Sequence, residues 1–302
     1  MEAPTPRRSL PAAVFAALRP KQWTKNLLLF AALVFASRFT SVPDITRAVE
    51  AFVAFCLLSS TGYVYNDLRD VEGDRRHPKK RLRPLAAGEI SPRGAWVLMA
   101  VSTGVAMVLA WSLGWAFTCV ALAYFITTLS YSMYFKHHVI LDVMMLAACY
   151  IWRAAAGAVA IDVRISTWLL VCTAFGALFL GFNKRRGEIL LMEGKQGGTR
   201  KSLAHYSPTM LSEFQAITTS GTIISYALYT VLGPSPWLVL TLPHVLYAVF
   251  RYIYLIDQRG EGAAPDETFL RDRPILVTSA LFVLTAVVVL LLAPPTTLPP
   301  PH

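Results

Sequence analysis

The sequence predicts an all-α integral membrane protein with nine transmembrane helices. Of its 302 residues, 55% are hydrophobic and only 15% are charged, whereas a soluble domain carries about 25% charged residues. Apolar stretches recur along the chain, each near the roughly 20 residues that a helix needs to cross a bilayer. The connections between them alternate between short, nearly uncharged loops and long, strongly charged ones. These observations argue against a soluble protein.

The nine predicted spans follow one another closely. Their predicted bounds are Trp23–Phe39, Arg47–Tyr65, Gly94–Leu113, Trp115–Phe135, Val139–Ile161, Ser166–Phe182, Phe214–Leu232, Trp237–Leu255 and Pro274–Leu292. No small-residue cleavage site follows the first apolar run, so we interpret it as a retained span. The predicted organisation is a basic segment over 1–22, a single transmembrane domain over 23–292 and a disordered, proline-rich tail over 293–302.

The positive charge is concentrated on one side of the predicted bundle. Arg38, Arg47 and Arg164 lie on the other side and Arg153 lies inside the fifth span, whereas the rest of the 28 Lys and Arg share the side of the N-terminus. The positive-inside rule then places the N-terminus and the long loops in the cytoplasm and the C-terminus outside the plasma membrane. A net charge of +10 suits anionic lipid or phosphorylated substrates, and the hydrophobicity argues against nucleic acid as a partner. The four cysteines show no paired spacing, so neither a disulfide framework nor a zinc site is predicted.

Three aspartates at the end of the second span indicate a metal site. If the helix continues, Asp67, Asp70 and Asp74 fall within an arc of about 60° on one face. Such a column is mutually repulsive unless a cation sits on it, and carboxylate oxygens suit Mg²⁺, which typically also holds a substrate diphosphate. The alternative interpretation is a solvated helix end.

A basic loop follows these acids directly. Residues 75–88 are rich in Lys and Arg, and phosphate-binding bases beside metal-binding acids indicate a polyphosphorylated substrate. Part of this charge must set the topology. Within the loop, Lys80 and Arg83 are the preferred substrate contacts.

These motifs resemble those of a known membrane family. The pattern Asn66-Asp67-x-x-Asp70-x-x-x-Asp74, followed by Arg83-Pro84-Leu85-x-x-Gly88, resembles the first aspartate motif of the UbiA-type intramembrane prenyltransferase superfamily. Tyr131-Ser132-x-x-x-Lys136 resembles the Tyr-to-Lys element of that superfamily. The resemblance implies nine helices around a lipid-open cavity that faces the cytoplasm. It also implies a site with Mg²⁺ on the aspartates, Asn66 as an amide orienter, and Tyr131 and Lys136 as substrate contacts.

The second motif of the superfamily is replaced here. Where two aspartates four residues apart usually stand, this chain has Gly181-Phe182-Asn183-Lys184-Arg185-Arg186-Gly187-Glu188. This site has a positive net charge, so we expect Lys184 and Arg185 to hold a phosphate directly. Lys184 and Glu188 share one helix face, and Glu188 is expected to orient Lys184.

One branch of the superfamily, which transfers phosphoribose to decaprenyl phosphate, has this kind of replacement. The chain is also similar to that branch at Arg19-Pro20-Lys21-Gln22-Trp23-x-Lys25-Asn26, His77-Pro78-x-Lys80-Arg81-x-Arg83-Pro84, Arg200-Lys201-Ser202-Leu203-x-x-Tyr206 and Leu270-Arg271-Asp272-Arg273. The resemblance implies a Mg²⁺-dependent pentosyltransferase that takes phosphoribosyl pyrophosphate and a polyprenyl phosphate, with Lys25 and Lys201 as further contacts. Its product would be a lipid-linked precursor of cell-wall arabinan.

Two other functions stay open at this stage. One is prenyl transfer from an isoprenyl diphosphate to an aromatic or glycerol-phosphate acceptor, and the other is transport of an anionic solute through nine spans. The missing second aspartate pair argues against the first, and the clustering of charged motifs on one face argues against the second. The oligomeric state, including a homo-oligomer, also stays open.

Overall fold

The computed structural model describes residues 8–77, 80–164, 166–190, 203, 205–233, 235–259, 268–269 and 271–292. Within these ranges the chain forms helices and their connections, without a strand. The helices are α1 (Leu10–Leu18), α2 (Phe30–Phe35), α3 (Val42–Arg69), α4 (Val71–Arg76), α5 (Pro92–Ser112), α6 (Trp115–Met133), α7 (Leu141–Ala160), α8 (Thr167–Leu190), α9 (Pro208–Leu232), α10 (Leu242–Arg259) and α11 (Arg273–Leu292). Short 3₁₀ segments include Pro20–Leu29, Lys80–Leu82, Phe135–His137 and Pro236–Thr241. The all-α prediction is confirmed.

Local sequence signals determine where several of these helices begin. The Ser91 hydroxyl accepts a hydrogen bond from the Gly94 N–H at 3.1 Å, and Pro92 follows the cap directly. At the start of α11, the Asp272 carboxylate accepts from the Ile275 N–H at 3.0 Å. A capping oxygen satisfies an N–H that the first turn leaves unpaired, and proline is compatible with that turn because it has no N–H. The starts of these helices therefore follow from the sequence alone.

Seven helices in the described part of the chain are long and apolar enough to cross a membrane, so the chain is a multi-pass membrane protein. They are α3, α5, α6, α7, α8, α10 together with the 3₁₀ segment before it, and α11. The first predicted span is a 3₁₀ segment that leads into the short helix α2. The seventh is α9, which is 25 residues long but carries Thr, Ser and Tyr side chains along its buried face. The count of nine spans and the orientation of the termini stay predictions.

Helices α3 and α7 are the most enclosed of these seven spans. Helix α7 carries Arg153, which is 4% exposed. Its guanidinium donates to Asn26 Oδ1 at 2.7 Å, Tyr124 OH at 2.8 Å and the Cys149 carbonyl at 3.0 Å. This in-span cation therefore faces the bundle and not the lipid, as the cost of placing a charge in the bilayer requires.

The 3₁₀ segment Pro20–Leu29 lies directly against α7. A Cβ added to Gly157 would overlap the carbonyl group of Leu29, so only glycine allows this approach. The same contact brings Asn26 within hydrogen-bonding distance of Arg153. Close backbone packing and a buried polar contact together hold the N-terminal segment on the bundle.

Candidate active site

The three aspartates lie where α3 meets α4. Helix α3 ends at Arg69, and Asp70 has a non-helical conformation with φ −97° and ψ 9° before α4 begins at Val71. Asp67 and Asp74 are buried, whereas the side chain of Asp70 is 38% exposed. The expectation of one continuous helix face is therefore corrected, because the helix break separates a buried pair of carboxylates from a more exposed one.

The buried pair converges on one base. Arg83 Nη1 lies 3.0 Å from Asp67 Oδ1 and 2.5 Å from Asp74 Oδ2. Arg19 Nη2 also lies 2.5 Å from Asp67 Oδ1, and its guanidinium stacks over the ring of Tyr63 at 5.2 Å. Arg83, from the predicted basic loop, thus lies on the acids, and its role as a substrate contact stays a prediction. Arg19 belongs to this group as well, although the sequence showed it only as part of a branch motif.

Asp70 meets a second base. Lys136 Nζ donates to Asp70 Oδ1 at 2.8 Å and to Asn66 Oδ1 at 3.3 Å, and Asn66 Nδ2 donates to Asp70 Oδ2 at 3.0 Å. Lys136 is buried in the 3₁₀ segment that follows α6. Residues of two separate predicted motifs therefore come together at this point.

The basic motif of α8 forms a second charged group with α7. Arg185 is 1% exposed, and its Nε donates to Asp142 Oδ2 at 2.8 Å, while Nη1 donates to Glu188 Oε2 at 2.7 Å. Tyr206 OH donates to the other Asp142 oxygen at 2.8 Å. Arg185 is thus held between two carboxylates, and Glu188 orients Arg185. In the structure without substrate these two acids engage the Arg185 guanidinium, and its role as a phosphate contact stays a prediction.

The remaining predicted residues lie around these two groups. Lys184 is half-buried on α8, and Tyr131 is close enough to Arg185 for an electrostatic interaction. Lys25 donates to Gln22 Oε1 at 2.7 Å. Lys80 begins the short 3₁₀ segment after the acids. Lys201 lies outside the described residues.

Three residues of this region were not predicted as site residues: Arg19, Asp142 and Tyr206. Asp142 carried a usable signal, because an acid within an otherwise apolar span is rare unless it is paired or functional. Asp142 is completely buried. For Arg19 and Tyr206, the only signal in the sequence was that each belongs to a motif shared with the branch that transfers phosphoribose.

The donor set of the acid group fits Mg²⁺. Carboxylate and amide oxygens are the ligands that this ion prefers, and two carboxylates already converge on a single cationic atom, Arg83 Nη1. Within the ranges that the structure describes, no three Asp, Glu, His or Cys side chains stand close enough together to hold a metal ion. A metal held by all three aspartates therefore requires Asp70 to approach Asp67 and Asp74, with Arg83 and Lys136 turned away from the carboxylates.

In the part of the bundle that the structure describes there are two largely apolar cavities. One, of about 260 Å³, is lined by Ala154 and Ala158 of α7 and by Tyr229 of α9, toward the end of α7 that is remote from Asp142. The other, of about 330 Å³, lies between α8, α9, α10 and α11 and has Phe179 and Tyr252 on its walls. Phe179 is about one helical turn from the basic motif of α8. Neither cavity lies at the acid group, so the lipid-open cavity expected there stays a prediction.

The fold and the sequence place the chain in a family of intramembrane enzymes. Residues 27–271 match the UbiA prenyltransferase family, and the chain belongs to this family. The structure of a UbiA homologue from Archaeoglobus fulgidus bound to GPP and Mg²⁺ shares the fold, with a TM-score of 0.73 at 21% identity over 92% of this chain and 99% of that chain. The resemblance deduced from the aspartate motif is confirmed.

Two relatives within the family are similar over most of their length. The decaprenyl-phosphate phosphoribosyltransferase of Corynebacterium glutamicum is 37% identical over 296 residues, which cover 93% of this chain and 88% of the relative. The enzyme of the same name from Mycobacterium tuberculosis is 32% identical over 287 residues, which cover 93% of this chain and 95% of the relative. The similarity to this branch is thereby confirmed.

Proposed function

We propose that this chain transfers 5-phosphoribose from phosphoribosyl pyrophosphate to decaprenyl phosphate and releases pyrophosphate. The reaction takes place at the cytoplasmic face of the plasma membrane and supplies a lipid-linked precursor of cell-wall arabinan. The observation that carries the proposal is the basic motif of α8, which stands where an aspartate pair is usual and is joined through α7 to the acid group. The similarity to two decaprenyl-phosphate phosphoribosyltransferases supports the same conclusion.

The donor carries a diphosphate at C1 and a phosphate at C5, so it requires two anion sites. We assign the diphosphate to the group of Asn66, Asp67, Asp70 and Asp74. Arg83 and Lys136 neutralise these acids in the structure, and both are placed to transfer their hydrogen bonds to diphosphate oxygens. Lys184 is the proposed contact for the second phosphate, with Tyr131, Lys25, Lys80 and Lys201 as further contacts.

Mg²⁺ is the proposed cofactor, held by Asp67, Asp70 and Asp74. When bound, it supplies positive charge that stabilises the departing pyrophosphate. Arg185 keeps α7 and α8 together through Asp142 and Glu188, and so holds Lys184 in place.

The acceptor phosphate acts as the nucleophile. One of its oxygens forms a bond to C1 of the ribose while the bond from C1 to the pyrophosphate oxygen breaks, and the pyrophosphate leaves with the electron pair. A phosphate monoester has a second pKa of about 6, so it is anionic at neutral pH and no general base is needed. The protein contributes positioning and electrostatic stabilisation. The apolar cavity beside Phe179 has the lining that an isoprenoid chain requires.

The test uses purified protein in detergent with Mg²⁺, radiolabelled phosphoribosyl pyrophosphate and polyprenyl phosphate. We expect label in the organic phase and equimolar release of pyrophosphate. Transfer of isoprenyl groups to an aromatic or glycerol-phosphate acceptor, without ribosyl transfer, would establish the prenyltransferase alternative. Uptake of an anionic solute into proteoliposomes, with no lipid product, would establish transport.

A further inference from the structure

The connection between α6 and α7 contains a strained turn at Ile140. This residue has φ +67° and ψ −50°, and the Leu141 N–H donates to the Val139 carbonyl at 2.7 Å. These values define a γ-turn with positive φ, which is rare and strained. A β-branched side chain adds to the strain because its Cβ is crowded at positive φ. Such a conformation persists only where the surrounding structure holds it, and it is found most often at functional sites.

Tyr206 holds this turn from the connection that precedes α9. Its hydroxyl accepts the Ile140 N–H at 2.6 Å and donates to Asp142 Oδ1 at 2.8 Å. Burial, together with the neighbouring Asp142 carboxylate, holds the pKa of Tyr206 above its usual range, although the bond from Ile140 acts in the opposite sense. The hydroxyl therefore stays protonated and remains a donor to Asp142. Arg185 binds the other oxygen of the same carboxylate at 2.8 Å, which fixes Asp142 in turn.

The strained turn lies four residues after Lys136, the base that meets Asp70. Between them the His138 N–H donates to the Phe135 carbonyl at 3.0 Å, and the Asp142 N–H donates to the His138 carbonyl at 3.0 Å. The connection is therefore short and internally bonded. A shift of its end at Ile140 is therefore expected to move Lys136.

We propose that Tyr206 is a positioning residue that holds the Ile140 turn and thereby sets Lys136 against Asp70. Its role in catalysis rests on the proposed function, because Lys136 is there a contact for the donor diphosphate. The structural role of Tyr206 does not depend on the proposed function, because the alignment of Lys136 is a property of the protein without substrate.

The first test is Tyr206→Phe, which removes the hydroxyl and keeps the ring. Two measurements are made on the full-length protein in detergent. One is kcat/KM for phosphoribosyl pyrophosphate, which we expect to fall by about tenfold or more, mainly through KM. The other is modification of Lys136 by an amine-reactive reagent, quantified by mass spectrometry. Lys136 is 5% exposed, and we expect its modification to become several times faster.

Rescue distinguishes positioning from a general loss of structure. Glycine adopts positive φ without crowding of a Cβ. With Ile140→Gly the turn is therefore less strained and depends less on the hydrogen bond to the Tyr206 hydroxyl. We expect the double variant Tyr206→Phe with Ile140→Gly to regain most of the lost kcat/KM. Its Lys136 should again be modified slowly, as in the wild type. The matched control is Tyr226→Phe, which removes a buried hydroxyl that bonds Thr241 at 2.5 Å. It should leave both measurements unchanged.

The outcomes separate this proposal from the proposed function. Unchanged kcat/KM and unchanged modification of Lys136 in Tyr206→Phe would overturn the positioning role. A lower kcat/KM and a faster modification of Lys136 that Ile140→Gly does not rescue would also overturn the positioning role. Tyr206 would then act only through the overall stability of the protein. If the wild type transfers no ribose but Tyr206→Phe exposes Lys136 and Ile140→Gly protects it again, the proposed function fails and the positioning role stands.

Discussion

Side chains of opposite charge neutralise one another at the end of α3. Asp67 binds Arg19 and Arg83, Asp74 binds Arg83, and Asp70 binds Lys136. Removing one partner of a buried ion pair leaves an uncompensated charge and is strongly destabilising, so loss of one of these bases should destabilise the folded chain. The same pairs bring cations to the place where a diphosphate is proposed to bind.

The aspartates can be tested one at a time. Asp67→Asn, Asp70→Asn and Asp74→Asn should each lower kcat by about a hundredfold or more, because each removes a charged oxygen proposed to bind Mg²⁺. EDTA should have the same effect on the wild type. The measurement is ribosyl transfer at saturating donor over a range of Mg²⁺ concentrations.

Glu72→Gln is the matched control for these variants. Glu72 lies in the same segment but is exposed, so its amide variant should keep wild-type activity. Full activity in two of the three aspartate variants would show that the acids are not metal ligands.

Lys184 tests the second anion site. Lys184→Ala should raise the apparent KM for donor or acceptor and cost about 1.5 to 3 kcal/mol in kcat/KM, because a charge-assisted bond to phosphate is lost. Steady-state kinetics with each substrate varied in turn provide the measurement. A change within twofold for both substrates would exclude Lys184 as a phosphate contact.

At the scale of elements, α7 connects the parts of the molecule. It binds the N-terminal segment through Arg153 and Gly157, and it binds α8 through Asp142. Its first turn follows directly on the connection that carries Lys136. Changes in the packing of α7 should therefore affect both stability and the site.

Arg185 tests the contact between α7 and α8. Arg185→Ala leaves the completely buried Asp142 without its cation, which should lower the free energy of unfolding by about 3 to 5 kcal/mol. Thermal unfolding in detergent should show a clearly lower Tm than that of Lys184→Ala. Equal Tm values for the two variants would argue against the structural role assigned to Arg185.

Gly157 tests the contact between α7 and the N-terminal segment. Gly157→Ala forces the Leu29 backbone away from α7, and overpacking of this kind typically costs about 1 to 3 kcal/mol. Gly104→Ala is the control, since a Cβ at that position of α5 meets nothing within 4 Å. We expect a lower Tm only for Gly157→Ala, and equal Tm values for both variants would contradict this account of the packing.

At the scale of the whole molecule, the distribution of charge predicts the orientation in the membrane. The predicted cytoplasmic side includes both the acid group with its bases and the basic motif of α8. Phosphorylated sugars and nucleotides are cytoplasmic compounds, so this orientation would give the proposed donor direct access to the site.

Reporter fusions test the orientation. An alkaline phosphatase fused after Gly114 should be active, because that short loop is predicted to lie outside, whereas a fusion after Gly88 should be inactive. The reverse pattern would place the acid group outside the cell and exclude a cytoplasmic donor.

The sequence by itself determined the all-α class, the approximate positions of the seven long apolar helices and the identity of the acid motif. These properties depend on hydropathy and on caps such as Ser91 and Asp272, which act within one turn of a helix. Only the tertiary structure decided how the charges pair. Arg19 meets Asp67 across 48 positions, Arg185 meets Asp142 across 43, and Tyr206 meets Asp142 across 64. Such contacts depend on which helix faces pack together, and a helical period carries no information about the partner of a side chain.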